Sequence, residues 1–226
     1  CNGDILSVTD DKGSIQYRYD LAGRKIKTIF ADETTEQYAY DVCGNLVKVT
    51  FADGTEEQYI YDNCNHLIKT ISADGSETEY QNDLLGRCVE STDAEGRKTK
   101  YTYNGNGNVV KVSYADGSEI RYTYDGCGNL LTATDGAGNT TLYTYDGSGS
   151  CISVVNGEGE RTTYAYDDFG RVITVTNVLG DTISYTYDIL GSLIKTTYPD
   201  GAEICQDYDA LGRVVKVYTV ADGEEY

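Results

Sequence analysis

Apolar and polar residues alternate along nearly the whole chain, and the alternation itself repeats. The unit is Tyr-x-Tyr-Asp-x-x-Gly-Asn/Arg-Leu, clearest at Tyr122-Thr123-Tyr124-Asp125-Gly126-Cys127-Gly128-Asn129-Leu130. It begins at Tyr17, Tyr38, Tyr59, Tyr80, Tyr101, Tyr122, Tyr143, Tyr164 and Tyr185, always 21 residues apart, and a tenth copy begins at Gln206. The first tyrosine is position one. Positions one and three lie on the same face of a strand, because alternate side chains of a strand point the same way. Position four is Asp in every copy but Asn104. At a strand end Asp or Asn accepts hydrogen bonds from the amides just ahead and starts a turn. Position seven is mostly glycine, which suits a positive φ.

A second strand follows. Position ten is always branched and apolar, as at Ile26, Val47, Leu131 and Val215, and position eleven is often lysine, as at Lys27, Lys48, Lys69, Lys111, Lys195 and Lys216. One face is therefore expected to carry the branched residues of positions ten and twelve, and the other the lysines. A second turn comes next, at Asp53-Gly54, Asp74-Gly75, Asp116-Gly117 and Asp200-Gly201. Asp-Gly between alternating strands predicts a hairpin with a type I′ turn, in which both central residues have positive φ. No helical period occurs. The fold class is therefore all-β: an antiparallel hairpin-repeat ribbon of about 21 residues per repeat. A parallel β-helix has the same period but would stack identical charges on neighbouring strands about 4.8 Å apart, which is unfavourable. Ten repeats make about twenty strands, and open sheets rarely exceed about ten without curling. The ribbon is thus expected to curl into a section of a spiral shell.

The array runs over residues 1–226, with a partial first repeat at 1–16 and full repeats from 17, 38, 59, 80, 101, 122, 143, 164, 185 and 206. A chain of 226 residues is long enough for a sizeable core. It lacks methionine and begins in mid-repeat, and it reads as a piece of a longer protein. The net charge of −19 argues against nucleic acid, whose phosphates it repels, and against anionic lipid. No apolar run is long enough to span a bilayer. The charge is read as keeping an extended β-surface soluble.

Site chemistry is sparse. His66 is the one histidine and reads as a solvated turn residue. The aspartates recur in every repeat, so they read as turn formers, although calcium at the acidic turns stays open. Four of the seven cysteines, Cys1, Cys43, Cys64 and Cys127, share position six, while Cys88 and Cys151 share position nine. Position-six thiols of adjacent repeats would lie roughly 9.6 Å apart, beyond disulfide reach. The 24-residue spacing of Cys64/Cys88 and Cys127/Cys151 is compatible with a contact between turns. No catalytic residue, cofactor or metal site is expected. The tyrosine columns suit either wall packing or stacking on sugars. The residues expected to carry the structure are Tyr38, Tyr40, Asp41 and Gly44; Tyr59, Tyr61 and Asp62; Tyr122, Tyr124, Asp125 and Gly128; Tyr164, Tyr166, Asp167 and Gly170; and Tyr185, Tyr187, Asp188 and Gly191.

Tyr164-Ala165-Tyr166-Asp167-Asp168-Phe169-Gly170-Arg171-Val172 closely resembles the YD repeats of Rhs proteins, of WapA-like wall-associated proteins and of teneurins. The resemblance spans essentially the whole chain. It implies a spiral of β-hairpins forming a hollow shell, which surrounds a C-terminal toxin in the bacterial relatives and belongs to an adhesion receptor in teneurins. It also implies a secreted or cell-surface setting, with the rest of a larger polypeptide as the partner. The self-cleaving aspartate segment of toxin-bearing relatives has no counterpart here. Asn82, Asn104 and Gln206 depart from the motif and are expected to mark weaker stretches. The function expected is a non-enzymatic segment of shell wall around a toxin or other cargo. The alternative is an extracellular module that binds carbohydrate or a partner protein.

Overall fold

The computed structural model describes the backbone of residues 5–10, 13–221 and 224–225, and the side chains of residues 15–220. Cys1 lies outside the described residues. Every regular element among them is a β-strand. The chain divides into two compact units, Cys1–Thr102 with Val112–Gly117, and Tyr103–Lys111 with Ser118–Tyr226.

The first unit is built on β1 (Ile5–Asp10), β2 (Gly13–Tyr19), β3 (Lys25–Ile29), β4 (Thr35–Tyr40), β5 (Leu46–Thr50), β6 (Glu56–Tyr61), β7 (Leu67–Ile71), β8 (Glu77–Asn82), β9 (Cys88–Thr92) and β10 (Lys98–Tyr103). Each of these strands pairs antiparallel with the next. After β11 (Val109–Ser113), the second unit repeats the scheme from β12 (Glu119–Tyr124) and β13 (Leu130–Thr134) to β20 (Glu203–Tyr208) and β21 (Val214–Ala221). Tyr38 faces Val49, not Tyr59, so the pairing is that of hairpins and the β-helix alternative falls.

The register departs from simple alternation in one respect. Tyr38 pairs with Val49 and Ala39 with Lys48, but Tyr40 pairs with Leu46, which leaves Val47 without a partner. The same shift occurs at Thr123/Tyr124, where Leu131 is skipped, and in the other described hairpins of this kind. Position ten is therefore the extra residue of a β-bulge. The expected shared face of positions ten and twelve is corrected, because one inserted residue resets the two-residue period. Positions nine and twelve lie opposite the two tyrosines instead, and Ile26 and Leu131 at position ten remain 37% exposed.

The expected sizeable core is corrected as well. Among the described residues each strand touches only the strands before and after it, so no second layer of described residues covers either face within a unit. Val49 and Val112 are the buried hydrophobic residues among those described, and no large side chain is fully enclosed. Stability in such an array comes from neighbour terms along the ribbon rather than from one central core.

Candidate functional site

The repeated turn is where the motif residues meet. Asp125 Oδ1 accepts the amide N–H groups of Cys127 and Asn129, each at 2.9 Å, while Oδ2 accepts the Asn129 side-chain amide at 2.8 Å. The Gly128 N–H returns to the Asp125 carbonyl at 3.2 Å, with Gly128 at φ +93°. Asp41 repeats this with Cys43 and Asn45, and Gly44 stands at φ +95°. In the Arg copies the third donor to the carboxylate is a guanidinium: Arg171 Nε donates to Asp167 Oδ2 at 2.6 Å beside Gly170. Asp188 accepts from Leu190 and Ser192 beside Gly191. Asp62 holds the amides of Cys64 and His66, and there Asn65 takes the glycine's place at φ +65°. Position eight is thus a partner of the motif aspartate, a role the sequence reading left unassigned.

These bonds act on the ionised carboxylate. The Asn129 side chain hydrogen-bonded to Asp125 holds its carboxyl below the usual range, and Arg87 does the same for Asp83. The second turn uses the same backbone geometry. The Gly54 N–H bonds the Phe51 carbonyl and the Phe51 N–H bonds the Thr55 carbonyl. Gly54 alone of the pair has positive φ (+84°), and Asp53 does not. The expected type I′ turn is corrected to a three-residue loop, a type I turn closed by a glycine bulge. Asp53 keeps a negative φ, and its carboxylate accepts the Thr55 N–H and hydroxyl.

The position-three tyrosine ties successive repeats together. The Tyr40 hydroxyl donates to the Lys25 carbonyl at 2.8 Å, Tyr124 to Val109 at 2.8 Å, Tyr166 to Cys151 at 2.7 Å and Tyr187 to Val172 at 2.9 Å. The acceptor is always position nine of the preceding repeat, beside the bulge that frees it. Tyr61 occupies the same position of its repeat. Asn82 makes the same bond through its amide, to Leu67 at 2.8 Å, and Asn104 accepts from Asn106 and Asn108 as the aspartates do. These two departures keep hydrogen bonds of the motif, although Asn82 brings no ring. Gln206 accepts the Tyr208 hydroxyl at 2.9 Å. At position one, the Tyr59 hydroxyl donates to Glu57, and that bond pushes its pKa up to about 12. Tyr38 donates likewise to Glu36, while Tyr122, Tyr164 and Tyr185 pair across from Ala133, Val175 and Thr196.

Position eight also reaches the next turn. The Arg24 guanidinium lies 4.9 Å from the Tyr40 ring centre and Arg171 lies 4.7 Å from that of Tyr187, close enough for cation–π attraction. His66 sits in the same slot. Its Nδ1 is 3.2 Å from Asp62 Oδ2, and a Cβ on Gly86 would lie 2.7 Å from its ring. The expected solvated histidine is corrected to a packed one, because position eight projects over the glycine of the following turn. Cys43, Cys64 and Cys127 are exposed thiols at the turn tips, and Cys88, Cys151 and Cys205 are half-buried; none of these six forms a disulfide. No group of three or more metal-ligating side chains converges among the described residues.

The repeat and its bonds have a recognisable counterpart in known proteins. A family model described as teneurin YD-shell matches residues 3–148, and one described as RHS repeat matches residues 145–182 and 166–203. The chain belongs to the teneurin YD-shell family. No curated protein matches it. Among solved structures, this YD-shell chain is similar to the crystal structure of TcdB2-TccC3-Cdc42 at 17% identity and a TM-score of 0.65. It is also similar to TcdB2-TccC3 (17%, TM-score 0.64) and to a Photorhabdus luminescens Tc holotoxin pore carrying a TccC3 mutation (17%, TM-score 0.63). Each match covers 98% of this chain and 16% of the solved one, so the chain spans about a sixth of the structures it resembles. In this YD-shell chain the motif Asp and position eight close the turns, and the position-three Tyr bonds the preceding repeat.

Proposed function

We propose that this YD-shell chain is a section of wall in an Rhs-like polymorphic toxin or cell-surface protein, part of a β-shell that encloses a C-terminal toxin or other cargo. The fold likeness over 98% of the chain to 16% of the TcdB2-TccC3 structures carries this reading, since a segment that small fits a larger wall. The role is structural, not enzymatic. The motif carboxylates and the position-three hydroxyls are spent on turn amides and backbone carbonyls. The setting is secreted or cell-surface, and the partner is the remainder of a larger polypeptide. The carbohydrate-binding alternative draws less support, because the tyrosine rings lie half-buried along the sheet with their hydroxyls engaged.

The test is limited proteolysis of the whole polypeptide that contains this chain. The cargo should resist cleavage while the wall is intact and become cleavable when the wall is opened by substitutions in its turns. Cargo cut at the same rate with and without an intact wall refutes the proposal.

A further inference from the structure

One face of the ribbon carries a charge ladder linking position eleven to position nineteen of the same repeat, diagonally across adjacent strands. Lys48 Nζ lies 2.9 Å from Glu56, and Lys195 Nζ lies 2.8 Å from Glu203. Lys69 pairs with Glu77 and Lys111 with Glu119. Where the first residue is acidic the pair is reversed, with Lys98 Nζ 2.6 Å from Glu90. Complementary charge is what a cross-strand diagonal favours.

The first full repeat breaks this rule. Lys27 stands at position eleven, but position nineteen is Thr35. Directly opposite Lys27 on β2 is Arg18, a cation where the later repeats carry no cation. Neither Arg18 nor Lys27 has an ion pair among the described residues. Like charges directly opposite each other on paired strands are destabilising. This pair persists in a chain whose net charge is −19. Beside it the sheet opens into a hollow of about 370 Å³, lined by Arg18, Lys27, Gln37 and Lys48 and, on its apolar side, by Ile26 and Tyr38. Ala39 leaves the hollow open because its side chain is a single methyl. Gln37 pairs with Lys27 from the other side and adds an amide donor. Lys48 and Thr50 are held by Glu56, so among the described residues the charge without an ion-pair partner belongs to Arg18 and Lys27.

We propose that this hollow is a binding site for an oxyanion, a sulfate, phosphate or carboxylate group. The Arg18 fork and the Lys27 ammonium clamp it, with Gln37 as a neutral donor. The guanidinium supplies two parallel N–H donors and the ammonium a point charge, the pairing that oxyanions favour. The bound group takes the place that the glutamate fills in the repeats of Lys48, Lys69, Lys111 and Lys195.

The test uses the 226-residue chain with sodium sulfate, sodium phosphate and sodium acetate as probes, at constant ionic strength made up with chloride. Calorimetry should show saturable binding of at least one probe, and the order among them separates tetrahedral from planar groups. Lys27→Gln should weaken binding about tenfold or more, the loss of one charge-assisted hydrogen bond. Thr35→Glu is the decisive variant, since it restores the ladder with an internal carboxylate. It should abolish binding of all three probes while raising the melting temperature in chloride. Equal binding by wild type and Thr35→Glu, or no saturable heat with any probe, overturns the proposal. A fold lost in Lys27→Gln does not spoil the test, because Thr35→Glu adds a stabilising pair.

Discussion

The bond from the Tyr124 hydroxyl to the Val109 carbonyl gives a graded test of what the tyrosine column does. Tyr124→Phe removes the 2.8 Å hydrogen bond and keeps the ring. A net cost of about 1 kcal/mol follows from the usual value of such a bond. Tyr124→Ala also removes the ring. A fully enclosed aromatic would cost about 3–5 kcal/mol on truncation, but no large side chain here is fully enclosed, and Tyr124 is half-buried. The expected total is about 2–3 kcal/mol. Urea unfolding with the wild-type and both variant chains measures it. In a ribbon whose strands touch only their neighbours, the loss should be local. Amide hydrogen exchange should therefore speed up in β11, β12 and β13 and remain near wild type at β20 and β21. A Phe variant as stable as wild type and an Ala variant within a few tenths of a kcal/mol of it would refute the packing argument. Exchange that quickened evenly from end to end would refute the argument for local coupling. Asn82 offers the converse, because Asn82→Tyr keeps the bond to the Leu67 carbonyl and adds a ring, so it should stabilise.

Further outcomes follow from the turns and thiols. A Cβ on Gly54 would meet nothing within 4 Å, so Gly54→Ala should cost only the backbone penalty of φ +84°, about 1–2 kcal/mol; Gly86→Ala should cost more, and His66→Ala should bring it back to the Gly54 level in a denaturation series. The Asp125 carboxyl, held low by Asn129, is stabilising above its unfolded pKa, and that contribution is lost as the pH falls through the lower folded value. Thermal midpoints followed by circular dichroism should therefore change little on this account from neutrality to pH about 5 and drop once the pH passes below the ordinary carboxylate value of 3.8. Under a thiol reagent, exposed Cys43 and Cys64 should react before Cys88, whose thiol is pushed up by burial, and non-reducing mass spectrometry should find no Cys43–Cys64 link.

The charged side chains divide the two faces. The tyrosine face gains its bonds from hydroxyls to backbone carbonyls, whereas the opposite face is held by lysine–glutamate diagonals that are partly exposed. Exposed pairs of this kind contribute little singly, typically about 0–1 kcal/mol. Where they occur they favour one register, because a one-residue slip would move the paired lysines to the tyrosine face.

Most of the local structure was legible in the sequence, because it rests on interactions between residues a few positions apart. Tyr122 and Tyr124 alternate on one face, Asp125 turns the chain by bonding amides two and four residues ahead, and Gly128 supplies the positive φ. These are properties of single short segments. What the tertiary structure alone decided involves partners on another strand or in another repeat. Position ten is branched and apolar in every copy, which reads as a core position, yet it is the bulge residue, and only the pairing of Tyr40 with Leu46 reveals that. The loop at Asp53-Gly54 was located correctly, but its class depended on how Phe51 and Thr55 pair across it. His66 read as solvated because its neighbour, Gly86, lies one repeat away. The absence of a second layer within either unit was also invisible, since alternation shows which side chains share a face and carries no information on what covers it.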